Sequence, residues 1–146
     1  MLNELVADIL TDFTDEDGNP IAPMDYIERC TMRALPILAT DLEIAYRLDG
    51  DEVLPHMPGA HRELWLVRSK ILVCRYLRAQ AAQRVSFSSG DKKIDRSKEA
   101  ANWAALEKDL EADYLSGVKR INPMADEKLI ALDVYPMLYK RGSATD

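Results

Sequence analysis

Apolar residues recur at Leu2, Leu5, Val6, Ile9, Leu10 and Phe13, in steps of three and one. That is one stripe of an α-helix. Asp15-Glu16-Asp17-Gly18-Asn19-Pro20 follows, and its Gly and Pro predict a break. A second helix is expected from about Pro23, with Asp25 as its cap and Glu28 completing a capping box. Its stripe is Ile27, Cys30, Ala34, Leu35 and Leu38. Pro36 is expected to end or kink it, because proline lacks an N–H and crowds the preceding turn.

The period then changes. Leu42, Ile44, Tyr46 and Leu48 alternate with Glu43, Ala45 and Arg47, which predicts a short strand closed by the turn Asp49-Gly50-Asp51. Helical spacing returns from about Ala60 to Arg84. Leu64, Val67, Ile71 and Cys74 form one stripe, widened by Leu66, Val73, Leu77 and Ala81, as in a helix touched on several sides. Phe87 and Ile94 flank Ser89-Gly90-Asp91, which predicts a small hairpin or protruding loop. Asp95 is then expected to cap a helix running to about Ile121, with the stripe Trp103, Leu106, Leu110, Tyr114, Val118 and Ile121. Such a helix reaches roughly 40 Å. Asn122-Pro123 stops it, and the rest of the chain carries aromatic and aliphatic residues without a clean period. The predicted fold is mainly α: a small helical bundle with a long C-terminal helix, a short strand or hairpin element and an extended C-terminal tail. Residues 1–122 form the domain and residues 123–146 the tail.

Composition narrows the class. At 146 residues, with 47% hydrophobic and 30% charged residues, the chain can build one core. No apolar run reaches the length of a membrane span, and the N-terminal segment lacks the basic start of a signal peptide. The two cysteines, Cys30 and Cys74, sit in apolar helical patterns and read as buried thiols of a reducing compartment. The net charge is −6, which argues against a protein that coats nucleic acid. Charge is uneven: residues 1–55 hold 3 basic and 13 acidic groups, and residues 56–84 hold 6 and 1. This asymmetry predicts pairing within one subunit or between copies.

Tests for chemistry fail one by one. Registering an EF-hand on Gly18 puts Phe13 and Met24 at ligand positions, and registering it on Gly50 puts Ala45 at the first. His56 and His61 flank Pro58 without a cysteine or carboxylate cluster, so they read as loop histidines and no metal is expected. Ser86, Ser88 and Ser89 have no neighbouring base and no nucleophile elbow. There is no P-loop and no dinucleotide fingerprint, so no cofactor is expected. Glu107 and Glu111, one turn apart, read as solvated-face charges. No catalytic residue and no enzyme activity is expected. A basic helix at 62–84, with Arg62, Arg68, Lys70, Arg75, Arg78 and Arg84, leaves a small helical DNA-binding regulator as the alternative.

The run Val85-Ser-Phe-Ser-Ser-Gly-Asp-Lys-Lys-Ile-Asp-Arg-Ser97, followed by Trp103, Leu106, Leu110 and Tyr114, resembles the head–tail connector (adaptor or head-completion) proteins of tailed double-stranded DNA bacteriophages. The acidic helical start, Tyr46-Arg-Leu-Asp-Gly-Asp51, Pro55 and a long amphipathic helix fit the same pattern, over about residues 1–122. The resemblance implies a virion structural protein of the neck, made in the host bacterial cytoplasm. It would form a twelvefold ring of itself on the portal protein and offer a platform to stopper or tail-terminator proteins. Genomic DNA would pass through its channel without sequence-specific binding, and no membrane is implied. Family members often dock on the portal through an extended C-terminal tail. By position and character this maps to Val134, Tyr135, Pro136, Met137, Leu138, Tyr139, Lys140 and Arg141. Phe87, Ser89, Gly90, Lys92 and Lys93 are expected to reach a neighbouring subunit or the channel.

Overall fold

The computed structural model describes residues 1–86 and 91–124. Its elements, in chain order, are α1 (Leu2–Asp12), α2 (Met24–Leu42), β1 (Arg47–Asp49), β2 (Glu52–Leu54), α3 (Gly59–Ser86) and α4 (Asp91–Ile121). The described residues form a helical bundle with one two-stranded hairpin, the mainly α class that the hydrophobic pattern predicts. The expected tail from residue 125 onward and the Phe87, Ser89 and Gly90 positions lie outside the described residues.

α3 is the central helix. α4 lies along it as the second arm of a long helical hairpin, and α2 packs on it from the other side. α3 has no single apolar stripe. Leu64, Trp65, Arg68, Ser69, Ile71, Leu72, Val73, Cys74, Leu77 and Ala81 are all buried, which covers most of its circumference. Trp65, Arg68 and Ser69 lie outside the predicted stripe. Two of these bond locally: Trp65 Nε1 donates to the Thr31 carbonyl of α2 at 2.8 Å, and Ser69 Oγ donates to the Trp65 carbonyl at 2.7 Å. A buried polar group left without such a bond would cost about 1–3 kcal/mol.

α1 inserts Leu2, Leu5, Val6, Ile9 and Phe13 into the same core. Its N-terminus is capped from a distance. The Asp51 carboxylate accepts from the Met1 ammonium at 2.5 Å and from the Asn3 N–H at 2.7 Å, while the Asp51 carbonyl accepts from Leu2 N–H. Free helix N–H groups and the positive end of the helix dipole both favour a carboxylate at this end. The β1–β2 hairpin presents Asp51. Its register pairs Asp49 with Glu52 around a two-residue loop, and Gly50 takes φ 66° at the first loop position. Glycine reaches that left-handed conformation without penalty.

Several boundaries differ from the pattern-based expectation. α2 begins after Pro23, so Asp25 sits inside the first turn and pairs with Arg29 at 3.2 Å instead of capping. Pro36 does not end α2, which continues to Leu42 with Pro36 on its exposed side. Leu42 closes that helix, and Glu43 follows in the left-handed conformation (φ 58°) as its C-cap. The strand therefore starts at Arg47, five residues later than the alternation suggests. α4 begins at Asp91, so Asp91–Ile94 is helical rather than half of a hairpin, and Asp95 lies within the helix rather than at its cap.

Candidate interaction surfaces

The α3–α4 hairpin holds a cluster of ion pairs. Arg75 on α3 donates from Nε to Glu107 at 2.9 Å and from its guanidinium to Glu111 at 3.1 Å. Arg78 meets Glu107 at 3.1 Å. Glu107 is only 6% exposed, so this pair of acids is not the solvated face the sequence suggests. It is a carboxylate clamp for two arginines, and Glu107 holds a core-facing position while Leu106, from the expected stripe, is 39% exposed.

Three more α3 cations are engaged. Arg62 pairs with Asp8 at 3.1 Å and Lys70 with Asp12 at 2.5 Å, so the acidic first helix docks on the basic central helix within one subunit. Arg68 is buried, with its guanidinium 5.2 Å from the centroid of the Tyr114 ring. The Tyr114 hydroxyl donates in turn to Asp41 of α2. Arg62, Arg68, Lys70, Arg75 and Arg78 thus face acids or the core. A helix that reads DNA needs its cations free for phosphates, and these five are directed elsewhere.

Four further titratable groups pack into the bundle. The thiols of Cys30 and Cys74 are free and buried. Burial pushes the Cys30 thiol up to about 11 and the Cys74 thiol up to about 12. Both therefore stay protonated at neutral pH and are poor nucleophiles. His61 lies in the first turn of α3 rather than in a loop, and its Nδ1 hydrogen-bonds the Tyr46 hydroxyl at 2.6 Å. Burial raises the Tyr46 phenol above its ordinary value. Among the described residues no group of three or more His, Cys, Asp or Glu side chains is placed to hold a metal, and no helix is long and apolar enough to cross a membrane.

Two ends of the hairpin remain as outward-facing features. At one end, α3 and α4 run past α2. α4 has 31 residues against 19 in α2, a difference of roughly 18 Å in length. Asn122 Nδ2 donates to the Asp41 carbonyl at 3.0 Å and fixes the C-terminal end of α4 to the C-terminal end of α2. The excess length therefore falls at the 86–91 end. Lys92 and Lys93 occupy the first turn of α4 there. At the other end, the chain leaves the bundle through Pro123 and Met124, and Met124 is 88% exposed. All eight residues expected at the portal interface, Val134 to Arg141, lie beyond this exit and outside the described residues.

No family model, no curated protein and no solved structure matches this chain.

Proposed function

We propose that this chain is a head-to-tail adaptor of a tailed double-stranded DNA bacteriophage, a virion structural protein that forms a ring on the portal vertex. The ring would extend the DNA channel and receive the stopper or tail proteins. The observation that carries the reading is the fate of the basic helix. Five of its six cations are paired with Asp8, Asp12, Glu107 and Glu111 or buried against Tyr114. That weakens the DNA-binding alternative and favours a body whose charges serve its own assembly. The resemblance of residues 85–97 and of Trp103, Leu106, Leu110 and Tyr114 to the connector family supplies the class.

In this reading the helical bundle is the repeated wall of the ring. The segment after the exit, with Tyr135, Met137 and Tyr139, supplies the anchor for the portal. Aromatic residues in an extended segment suit a groove on a partner, and weak anchors gain strength when repeated around a ring. Removing residues 133–146 tests it. The shortened chain is expected to keep its helical circular dichroism and to lose attachment to the portal protein of the same genome. Attachment equal to that of the full chain would overturn the tail assignment.

A further inference from the structure

Two tyrosines from different helices lie face to face. Tyr26 comes from the first turn of α2 and Tyr76 from the middle of α3. Their ring centroids are 3.9 Å apart, and the ring planes are 29° from parallel. Aromatic pairs usually keep their centroids roughly 4.5–7 Å apart, so these two faces are in close contact. Both residues are half-buried. Burial raises the Tyr26 phenol above its ordinary value, and the nearby Cys30 adds to the shift. Tyr46 stands edge-on to His61, and Tyr114 lies against Arg68. Among the described residues, Tyr26 and Tyr76 are therefore the tyrosines in ring contact with each other.

We propose that Tyr26 and Tyr76 form an oxidative cross-linking site, which a one-electron metal oxidant converts to a dityrosine bridge between α2 and α3. The oxidant takes one electron from each phenol, and each phenolic proton leaves to water. The unpaired spin of a phenoxyl radical is shared between its oxygen and the ring carbons beside it, the Cε positions. Face contact sets the ring carbons of one tyrosine over those of the other, and a Cε–Cε bond forms. Each bonded carbon then gives up its hydrogen as a proton and each oxygen regains one, which restores both aromatic rings. The net change is the loss of two electrons and two protons, and two equivalents of the metal oxidant are each reduced by one electron. Cys30 is the competing electron donor. Burial pushes its thiol up to about 11, so it lacks the thiolate form that oxidises readily. The bridge closes the loop between residues 26 and 76 and constrains the unfolded chain as a disulfide does. It supplies a covalent tie in a bundle whose two cysteines are buried and free. Nothing in this chemistry depends on the adaptor reading.

Photo-oxidation of the full chain tests it, with tris(bipyridine)ruthenium driven to its one-electron-oxidising Ru(III) form by light and persulfate, at a low and a high protein concentration. The expected product is a monomer with dityrosine fluorescence and a mass lower by two hydrogen atoms. Peptide mapping is expected to join the Tyr26 and Tyr76 peptides, in equal yield at both concentrations. Tyr26→Phe and Tyr76→Phe each keep an aromatic ring in the stack. Both are expected to retain helical circular dichroism and to lose the bridge within the monomer, while Tyr46→Phe keeps it. The purified bridged chain is expected to melt about 10 °C above the unbridged one. A monomer that consumes the Cys30 thiol and forms no bridge would overturn the proposal. So would a bridge mapped to other tyrosines, or dityrosine found only in cross-linked dimers. Equal melting of bridged and unbridged chains would overturn the tie between α2 and α3. Portal attachment enters none of these readouts.

Discussion

Asp51 and Glu107 show how single carboxylates set this structure. Asp51 joins the hairpin turn to the start of α1. Its pairing with the Met1 ammonium and its bond from Asn3 hold its carboxyl below the ordinary 3.8, and the same carboxylate raises the ammonium above its ordinary 8.0. A depressed acid contributes stability above its unfolded value and loses it as pH falls through the folded one. A raised amine contributes below its unfolded value and loses it as pH rises. The clamp is therefore intact between about pH 4 and pH 8 and fades on both sides. Asp51→Asn is expected to lower Tm at pH 6 and to narrow the difference between Tm at pH 6 and at pH 3, measured by thermal circular dichroism. An unchanged pH profile would contradict the clamp.

Glu107 carries a larger share of the stability because it is nearly enclosed. Removing one partner of a buried pair leaves charge behind, at a cost of about 3–5 kcal/mol when fully buried. Partial exposure of Arg75 and Arg78 reduces this, so Glu107→Leu is expected to cost about 2 kcal/mol. Leu106→Glu, one residue away, is expected to change stability by less than about 0.5 kcal/mol. Urea unfolding of the two variants measures both. The reverse order would restore the stripe read from the sequence.

At the scale of elements, the helices were legible because their apolar spacing repeats over several turns. α1 and the core face of α2 follow the predicted stripes. Ile27, Cys30, Ala34, Leu35 and Leu38 are all buried. What escaped was positional. Successive residues on a helix are about 100° apart, so assigning Leu106 rather than Glu107 to the interior rotates the face of α4 by that angle. Hydrophobicity alone favours Leu, and only the arginines on the facing helix reverse the choice. That partner was recoverable from the turn. Leu64 and Gly117, Arg68 and Tyr114, and Arg75 and Glu107 are each centred on residue 90 or 91, the place where Ser89-Gly90-Asp91 signals the reversal. The strand was misplaced because Leu42, Ile44 and Tyr46 alternate across the end of a helix rather than along a sheet.

Pro36 is the other lesson at this scale. A proline inside a helix withholds one backbone N–H, and that leaves the Met32 carbonyl without its usual donor. The turn is on the exposed side of α2, and the buried Ala34, Leu35 and Leu38 hold the helix through it. Pro36→Ala is expected to stabilise the protein by about 1–2 kcal/mol, because the gain in helix propensity exceeds the added freedom of the unfolded chain. A lower Tm in the variant would show that the ring itself packs.

For the whole molecule, the uneven charge along the chain proved to be an assembly instruction. The acids of α1 and α4 meet the cations of α3 inside one subunit, through Asp8, Asp12, Glu107 and Glu111. Net charge by segment showed that pairing had to occur, but not whether it fell within a subunit or between copies. Fold class was readable from periodicity. The surfaces proposed for partners were readable only through family resemblance, because interface residues carry no fixed spacing of their own. The proposed adaptor function would rest on the 86–91 end of the α3–α4 hairpin and on the chain that leaves Met124. Its most direct test is to mix this chain with the portal protein of the same genome and weigh the product by light scattering after size exclusion, with negative-stain images of the peak. An adaptor is expected to add a full ring of twelve copies to the portal. A portal of unchanged mass beside a free, monodisperse chain would contradict it.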